Sequence, residues 1–173
     1  MSLERLWAGW RSPHVEHASA AHAEPACFLD EAPKLRDTDA LILERTATAF
    51  VIMNAYPYTT GHMLVAPIRH VSSLLDLDGA EQADVWSLVR QCVDAAERAF
   101  HPDGFNVGAN LGRGAGAGVP DHLHIHIVPR WTSDTNFMTA LADTRVMPET
   151  LRSSWERLSA VWPTDSPGLT RPS

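Results

Sequence analysis

Cysteine is scarce in this chain of 173 residues, which has only Cys27 and Cys92, far apart in the sequence. Neither belongs to a C-x-x-C pair, so the sequence offers no disulfide framework and no zinc ribbon. Such cysteine usage is typical of proteins in a reducing compartment, and we expect a cytoplasmic location.

Long apolar runs and excess positive charge are missing as well. No window approaches the run of about 18 apolar residues that a membrane-spanning helix needs. The stretch MSLERLWAGWRSPH at the amino terminus has no apolar core of the kind found in signal peptides. The formal net charge is −7, from 14 Lys and Arg against 21 Asp and Glu. We therefore expect no nucleic acid and no membrane as partner, although a local site could still bind an anionic nucleotide.

Length and composition otherwise predict one globular domain. Hydrophobic residues make up 45% of the chain and charged residues 20%. We expect an irregular arm rich in Trp, Pro and His over residues 1–30, a folded domain over 31–162 and a flexible tail over 163–173. In the arm, Trp7 and Trp10 are expected to dock onto the body or onto a partner chain.

Alternating and apolar stretches predict a set of short β-strands. Residues 41–54 are expected to form two strands or a hairpin, and residues 62–68 a further strand that Pro67 helps to end. Two more strands are predicted over 105–111 and 122–129, and we expect them to pair across the loop between them.

Two helices accompany these strands. Between Gly79 and Phe100 the apolar period becomes about 3.6 residues, and one face consists of Val85, Val89, Cys92, Val93, Ala96 and Phe100. Pro148 is expected to open a second helix that runs to about Trp162, because proline in the first helical turn sacrifices no hydrogen bond. Mostly antiparallel strands with one long helix and a C-terminal helix predict an α+β fold.

The most informative stretch is residues 115–131, AGAGVPDHLHIHIVPRW. Its histidines alternate with Leu and Ile, so a strand would present His122, His124 and His126 on one face and aliphatic side chains on the other. Burying imidazoles this densely is costly unless each ring has a partner. The pattern therefore indicates a functional site, for metal binding or for phosphate chemistry.

These two kinds of chemistry make different demands. An H-x-H pair can chelate zinc, but the outer Cα atoms of three alternate residues lie about 13 Å apart and do not easily converge on one tetrahedral ion. In phosphate chemistry one imidazole attacks phosphorus and its neighbours donate hydrogen bonds. The loop before the histidines favours phosphate, since backbone N–H groups of glycine-rich loops bind it; its glycines are Gly112, Gly114, Gly116 and Gly118.

Residues 122–128, HLHIHIV, resemble the defining motif of the histidine triad superfamily of nucleotide hydrolases and transferases. GHMLVAPIRHVSSLLDL at 61–77 is similar to the family's G-H-x-L-V-x-P-x-x-H segment, and residues 50–62 to its nucleoside-binding strand and turn. Residues 110–138 and the W-x-x-W-R of residues 7–11 resemble a prokaryotic branch related to diadenosine polyphosphate hydrolases and phosphorylases. The resemblance implies the histidine triad fold and a homodimer that pairs through the long helix and an adjacent strand.

The resemblance also implies a role for each histidine. His124 corresponds to the nucleophile that attacks the α-phosphorus and forms a nucleotidyl-histidine intermediate, which water or inorganic phosphate then releases. His126 corresponds to the residue that contacts the phosphate and assists the leaving group, and His122 to a member of the hydrogen-bond network that orients the nucleophile. His62, the family's fourth histidine, either lines the same pocket or packs beneath the triad. His70 is expected to be a surface or strand-end residue.

The nucleotide-binding residues follow by the same correspondence. Asn54 matches a position that binds ribose, unless it only closes a turn, and Asn110 matches one that contacts the phosphate. Many family members place Gln or Ser before the first triad histidine, where this chain has Gly118 and Val119. The resemblance therefore leaves phosphate binding to backbone N–H groups, which we expect at Gly116 and Gly118.

A second departure concerns metal. Many members bind structural zinc through an amino-terminal C-x-x-C and further histidines, whereas this chain has Cys27 alone in that region. We expect no zinc site and no essential cofactor, with a divalent metal entering only together with the nucleotide. The expected function is cleavage of adenine dinucleotides, above all diadenosine polyphosphates. The alternatives are a nucleotide-binding sensor with vestigial activity, an adenosine phosphoramidate hydrolase and a metallohydrolase.

Overall fold

A five-stranded antiparallel sheet forms the centre of the computed structural model, which describes residues 27–132, 134 and 149–163. Its strands are β1 (Ile42–Arg45), β2 (Ala49–Met53), β3 (Met63–Pro67), β4 (Gly104–Gly108) and β5 (Ile125–Arg130), in the order β1-β2-β3-β5-β4. Every neighbouring pair is antiparallel. The predicted α+β fold and the predicted pairing across the glycine-rich loop are confirmed.

The histidine strand begins later than its alternation predicts, at Ile125 instead of residue 122. The ladder with β3 ends where Val65 meets Ile125, and the ladder with β4 ends where Gly108 meets His126. Beyond these pairs the residues before Ile125 have no neighbouring strand, and the Leu123 N–H donates instead to the Val71 carbonyl, 2.6 Å away. The alternating sequence pattern therefore begins before the first ladder hydrogen bonds of β5.

Two longer helices cover one face of the sheet. The first spans Gly79–Phe100, as predicted, and begins with a capping box in which Asp78 and Glu81 satisfy each other's backbone N–H groups. Its apolar stripe packs on the sheet in the main core, together with buried residues of the strands. No helix in the described part of the chain is long and apolar enough to cross a membrane.

The second of these helices spans Leu151–Val161 and packs on the first near the same core. It begins three residues after Pro148, which lies outside the described residues, because the Thr150 hydroxyl caps it by accepting from the Ser153 N–H. Trp162 ends it and is buried, close to the predicted end.

Two short helices precede the sheet and lie partly on its other face. We number the α-helices of the described residues α1 (Phe28–Glu31), α2 (Asp37–Ala40), α3 (Gly79–Phe100) and α4 (Leu151–Val161). Leu29 of α1 packs in a second apolar cluster with β1, β2 and β3. Residues 27–30, predicted as part of an irregular arm, therefore belong to the folded body, because Leu29 supplies an apolar anchor. The predictions for Trp7, Trp10 and most of the tail lie outside the described residues.

Candidate functional site

The sheet separates imidazoles from aliphatic side chains, as the alternation predicts. Ile125 and Ile127 point into the main core under α3, whereas His126 between them does not belong to that core. His122 and His124 are buried, and His126 is half-buried. Each of the three rings has hydrogen-bonding partners, which the cost of burying imidazole requires.

His124 is held in one orientation by the backbone of the triad itself. Its Nδ1–H donates to the carbonyl oxygen of His122 over 2.8 Å. A neutral ring that donates through Nδ1 keeps its lone pair on Nε2. Burial lowers the pKa of His124 below its ordinary value, which favours this neutral form. His124 can therefore act as a nucleophile through Nε2.

His126 and His62 form a relay of hydrogen bonds with a defined direction. The backbone N–H of Tyr58 donates to Nδ1 of His62 over 3.0 Å. Nε2 of His62 lies 3.0 Å from Nδ1 of His126, so in neutral rings His62 donates and His126 accepts. The relay thereby leaves a proton on Nε2 of His126, where it can be donated to a phosphate oxygen. The geometry gives fully buried His62 a contact with the triad rather than a packing role alone.

Tyr58 is a site residue that sequence reasoning missed. Its ring centroid lies 4.7 Å from that of His62 and 5.9 Å from that of His126, with an interplanar angle of 15° to the latter. No motif marks it; the available signal was its position in the turn four residues before His62.

Asn54 closes the same turn. Its Oδ1 accepts from the Tyr56 N–H over 3.0 Å, and its Nδ2 lies 3.3 Å from Nδ1 of His62. The turn-closing alternative is thus present in the structure, and ribose binding by Asn54 stays a prediction. Asn110 lies two residues beyond Gly108, which ends β4 and pairs with His126, and its contact with phosphate stays a prediction.

His122 contacts a different set of side chains. Its Nε2 lies 2.9 Å from the Pro67 carbonyl oxygen, and its Nδ1 lies 3.1 Å from Asp30 Oδ1 and 3.5 Å from Cys27 Sγ. Nδ1 of His70 lies 2.8 Å from Asp30 Oδ2. His70 is exposed, as expected, yet it contributes to this group. We call Cys27, Asp30, His70 and His122 the mixed-donor cluster.

The mixed-donor cluster bears on the expectation that zinc is absent. One ligand atom from each member lies within 4.8 Å of the ligand atoms of all the others. A thiolate, a carboxylate and two imidazoles are the ligands that tetrahedral zinc takes in proteins, so these residues fit the ion. The number of cysteines does not reveal this cluster, because Asp30 supplies a further ligand atom that one turn of α1 brings beside Cys27. A missing second cysteine therefore does not exclude zinc.

The glycine-rich loop between β4 and β5 has two left-handed positions. Gly112 and Gly116 have φ angles of +75° and +78° and flank a 3-10 turn over Arg113–Ala115. Gly118, the other glycine at which phosphate-binding N–H groups are expected, is not among the glycines with positive φ. A Cβ at Gly112, Gly114 or Gly116 would meet no atom within 4 Å, so the loop is open to a ligand.

Comparison with known proteins identifies relatives along most of the chain. The HIT domain family model matches residues 36–133. An AP-4-A phosphorylase of Mycobacterium tuberculosis is 36% identical over 165 residues, covering 92% of this chain and 85% of that protein. The asymmetrical bis(5'-nucleosyl)-tetraphosphatase of Schizosaccharomyces pombe is 37% identical over 93 residues, covering 54% of this chain and 50% of that protein.

A solved structure agrees with these relatives. A zinc-bound histidine triad family protein from Mycobacterium smegmatis superimposes with a TM-score of 0.62 at 28% identity, covering 79% of this chain and 92% of that one. The matched family model spans β1 to β5 and includes all three triad histidines. The resemblance predicted from the sequence is confirmed: the chain belongs to the HIT domain family.

Proposed function

We propose that this protein is an enzyme that cleaves diadenosine polyphosphates by transferring a nucleotidyl group to His124 and then to a small acceptor. One observation carries the proposal: the 2.8 Å hydrogen bond from Nδ1 of His124 to the His122 carbonyl, which leaves the lone pair on Nε2 available as a nucleophile. The Mycobacterium tuberculosis relative, named for AP-4-A phosphorolysis, supports the substrate class.

The first chemical step forms a bond between Nε2 of His124 and the α-phosphorus. The bond from that phosphorus to the bridging oxygen breaks, and the electron pair leaves with the remaining polyphosphate, which needs no proton to depart. His124 becomes a phosphorylated imidazolium whose Nδ1–H still donates to the His122 carbonyl. The proton on Nε2 of His126 donates to a phosphate oxygen as negative charge develops there.

The second step releases the nucleotide to an acceptor oxygen. Attack at phosphorus breaks the bond to Nε2 and restores the neutral ring of His124. We propose inorganic phosphate as acceptor, by analogy with the Mycobacterium tuberculosis relative, and nucleotide contacts from Asn54, Asn110 and the backbone of Gly116 and Gly118. A divalent ion is proposed to enter with the polyphosphate chain of the substrate.

Product analysis tests this function. Diadenosine tetraphosphate incubated with and without inorganic phosphate should give ADP and ATP only when phosphate is present. Formation of AMP and ATP instead would show that the enzyme catalyses asymmetric hydrolysis and not phosphorolysis. Binding of the dinucleotide without turnover would reject the enzyme in favour of a sensor.

We also propose a homodimer, on the basis of exposed apolar side chains and not of the amphipathic pattern of α3. The apolar stripe of that helix packs on the chain's own sheet. Exposed apolar side chains remain elsewhere: Trp86 on α3 has 55% of its surface exposed, and Val107 on the edge strand β4 has 42%. Light scattering should return about twice the 19.0 kDa chain mass, and Trp86→Ala should shift the protein toward monomer. A wild-type mass of one chain would reject the dimer.

A cytoplasmic location is proposed as well. Cys27 and Cys92 are both free thiols, as a reducing compartment allows. Fractionation of cells that make the full chain should recover it with the cytoplasmic proteins.

A further inference from the structure

The glycine that precedes His62 has no room for a side chain. Gly61 has a φ of +75°, a left-handed conformation that residues with a Cβ rarely adopt. A Cβ at this position would lie 2.6 Å from Cε2 and 2.9 Å from Cδ2 of Phe100, well inside van der Waals contact. The edge of the Phe100 ring, at the end of α3, therefore lies directly against the backbone that leads into His62.

Arg157 holds the Phe100 ring from the side of α4. Its guanidinium carbon lies 4.5 Å from the centroid of that ring, within the range of a cation–π contact. Nη2 of Arg157 donates to the Ala99 carbonyl, one of the last-turn acceptors that a helix leaves without an internal partner. Nη1 pairs with Glu149, just before α4. These contacts fix the guanidinium, and the guanidinium in turn limits the movement of the ring.

His62 lies at the end of a turn, just before the ladder of β3 begins at Met63. The His62 carbonyl accepts from the Asn54 N–H over 3.0 Å, whereas the His62 N–H donates to the Thr59 carbonyl over a longer 3.3 Å. The side of His62 that faces the turn is therefore held less tightly than the side that faces the strand. Packing of Gly61 makes up the difference.

The position of His62 matters because its ring is one half of the imidazole relay. Nε2 of His62 donates to Nδ1 of His126 over 3.0 Å, and the His62 side chain is fully buried, so its ring moves together with its backbone. Hydrogen bonds weaken steeply when distance or angle departs from the preferred range. Movement of Gly61 therefore loosens the bond that keeps the proton of His126 on Nε2.

We propose that Phe100 and Arg157 are positioning residues for this relay: Arg157 fixes the Phe100 ring, and the ring holds Gly61 so that His62 stays in register with His126. The carboxyl-terminal helix α4 thereby acts on the site without contacting it. This inference rests on the proposed function only where turnover is measured, because the relay itself is visible without substrate.

The first measurement observes the relay directly. In full-length protein labelled with 15N-histidine, a scalar coupling across the hydrogen bond should connect Nε2 of His62 with Nδ1 of His126. The coupling should be lost or strongly reduced in Arg157→Gln and in Phe100→Leu, which keeps an apolar side chain but removes the ring edge. Thermal unfolding of each variant confirms that the folded protein is being compared.

Arg152 provides a matched control on the same helix. Its guanidinium carbon lies 5.3 Å from the centroid of the Trp155 ring, so Arg152→Gln removes the same kind of contact elsewhere on α4. The coupling between the two nitrogens and the kcat should both stay at the wild-type level in this variant.

The second measurement is turnover of diadenosine tetraphosphate. Arg157→Gln should lower kcat by about tenfold, less than the roughly 100-fold that a misplacement of about 1 Å can cost. KM should change little, because the relay acts on charge that develops during reaction. In a His62→Gln background, adding Arg157→Gln should lower kcat by less than about twofold, since residues that act through one another are not additive.

Each outcome decides for or against the inference. Coupling that persists in both Arg157→Gln and Phe100→Leu, or that is missing in wild type, would overturn it. Losses of kcat that multiply in the double variant would overturn it too, because Arg157 would then act independently of His62. If wild type fails to cleave the dinucleotide, the proposed function fails, but the coupling between the nitrogens still tests the role of Phe100 and Arg157.

Discussion

The two faces of the sheet differ in the side chains that the histidine segment presents, which are aliphatic on one face and imidazoles on the other. Under α3, Ile125 and Ile127 lie in an apolar core that needs only close packing. On the other face, His124 and His126 take adjacent alternate positions, and each ring is oriented by a specific hydrogen bond. At β5 the first face contributes stability through burial of apolar side chains, whereas the second presents imidazoles for chemistry; the apolar cluster around Leu29 covers another part of that second face. Substitutions on the two faces should therefore separate stability from activity.

The largest effect is expected at His124. His124→Ala should lower kcat by at least about a thousandfold, because under the proposed function the covalent bond to phosphorus forms at Nε2 of this residue. AMP binding, measured by calorimetry, should stay close to that of wild type. Retention of a tenth of the activity would mean that another group attacks phosphorus.

Ile127→Ala is the matched change on the opposite face, three residues further along the chain and within β5. It should destabilise the fold by about 2–5 kcal/mol in urea unfolding, since it opens a cavity in the main core. The kcat of the folded fraction should stay within about twofold of wild type. A large loss of kcat here would break the separation between the two faces.

A smaller effect is expected where the relay begins. His62→Gln removes the ring that donates to Nδ1 of His126, so the proton of His126 is no longer confined to Nε2. We expect kcat to fall by roughly 100-fold, the scale for losing one donor to a developing charge. Steady-state kinetics with diadenosine tetraphosphate would measure it. An unchanged kcat would mean that His62 only packs beneath the triad.

The glycine-rich loop offers a matched pair for the next effect. Gly116 has a φ of +78°, whereas no positive φ is recorded at Gly114, and a Cβ meets nothing within 4 Å at either position. Gly116→Val should cost about 1 kcal/mol of backbone strain and displace amides from the phosphate. AMP binding should weaken by about tenfold in Gly116→Val, a fold-change we infer from losing one or two such hydrogen bonds. Gly114→Val should bind AMP normally; equal affinities in both variants would make the loop a spacer.

Sequence periodicity predicts most of this fold because its signals are local. The helix over Gly79–Phe100 follows from an apolar stripe whose members are mostly three or four positions apart. The start of β5 does not follow from local signals. It depends on where β3 and β4, which are distant in the chain, cease to pair with it.

The candidate site likewise has a part that the sequence reveals and a part that depends on contacts between distant residues. The alternation of His122, His124 and His126 is visible in the sequence, and it indicates the functional face. The partnership of His122 with Asp30 joins residues more than 90 positions apart and depends on how α1 packs through Leu29. The role of Tyr58 rests on a backbone N–H, which any residue except proline provides, so no side-chain pattern reveals it.

The smallest effect is expected at Glu81, in the first turn of α3, and it depends on pH. Hydrogen bonds from the Arg69 side chain and then from the Asp78 backbone N–H lower the pKa of Glu81 to about 2. The folded pKa lies below the ordinary value of 4.5, so ionised Glu81 stabilises the fold fully above that value. The contribution is lost as the pH falls toward 2. Glu81→Gln should therefore unfold at lower urea concentration than wild type near neutral pH.

The difference between Glu81→Gln and wild type should shrink as the unfolding pH is lowered from about 5 toward about 2.5, since protonated Glu81 resembles glutamine. Asp39→Asn serves as control, because the pKa of Asp39 is also lowered, by Arg36, but that ion pair is exposed and contributes little. Its urea midpoint should stay near that of wild type throughout. Both variants should keep normal kcat at neutral pH, because these carboxylates lie outside the imidazole relay. A pH-independent difference for Glu81→Gln would mean that shape, and not charge, gives Glu81 its role at the start of α3.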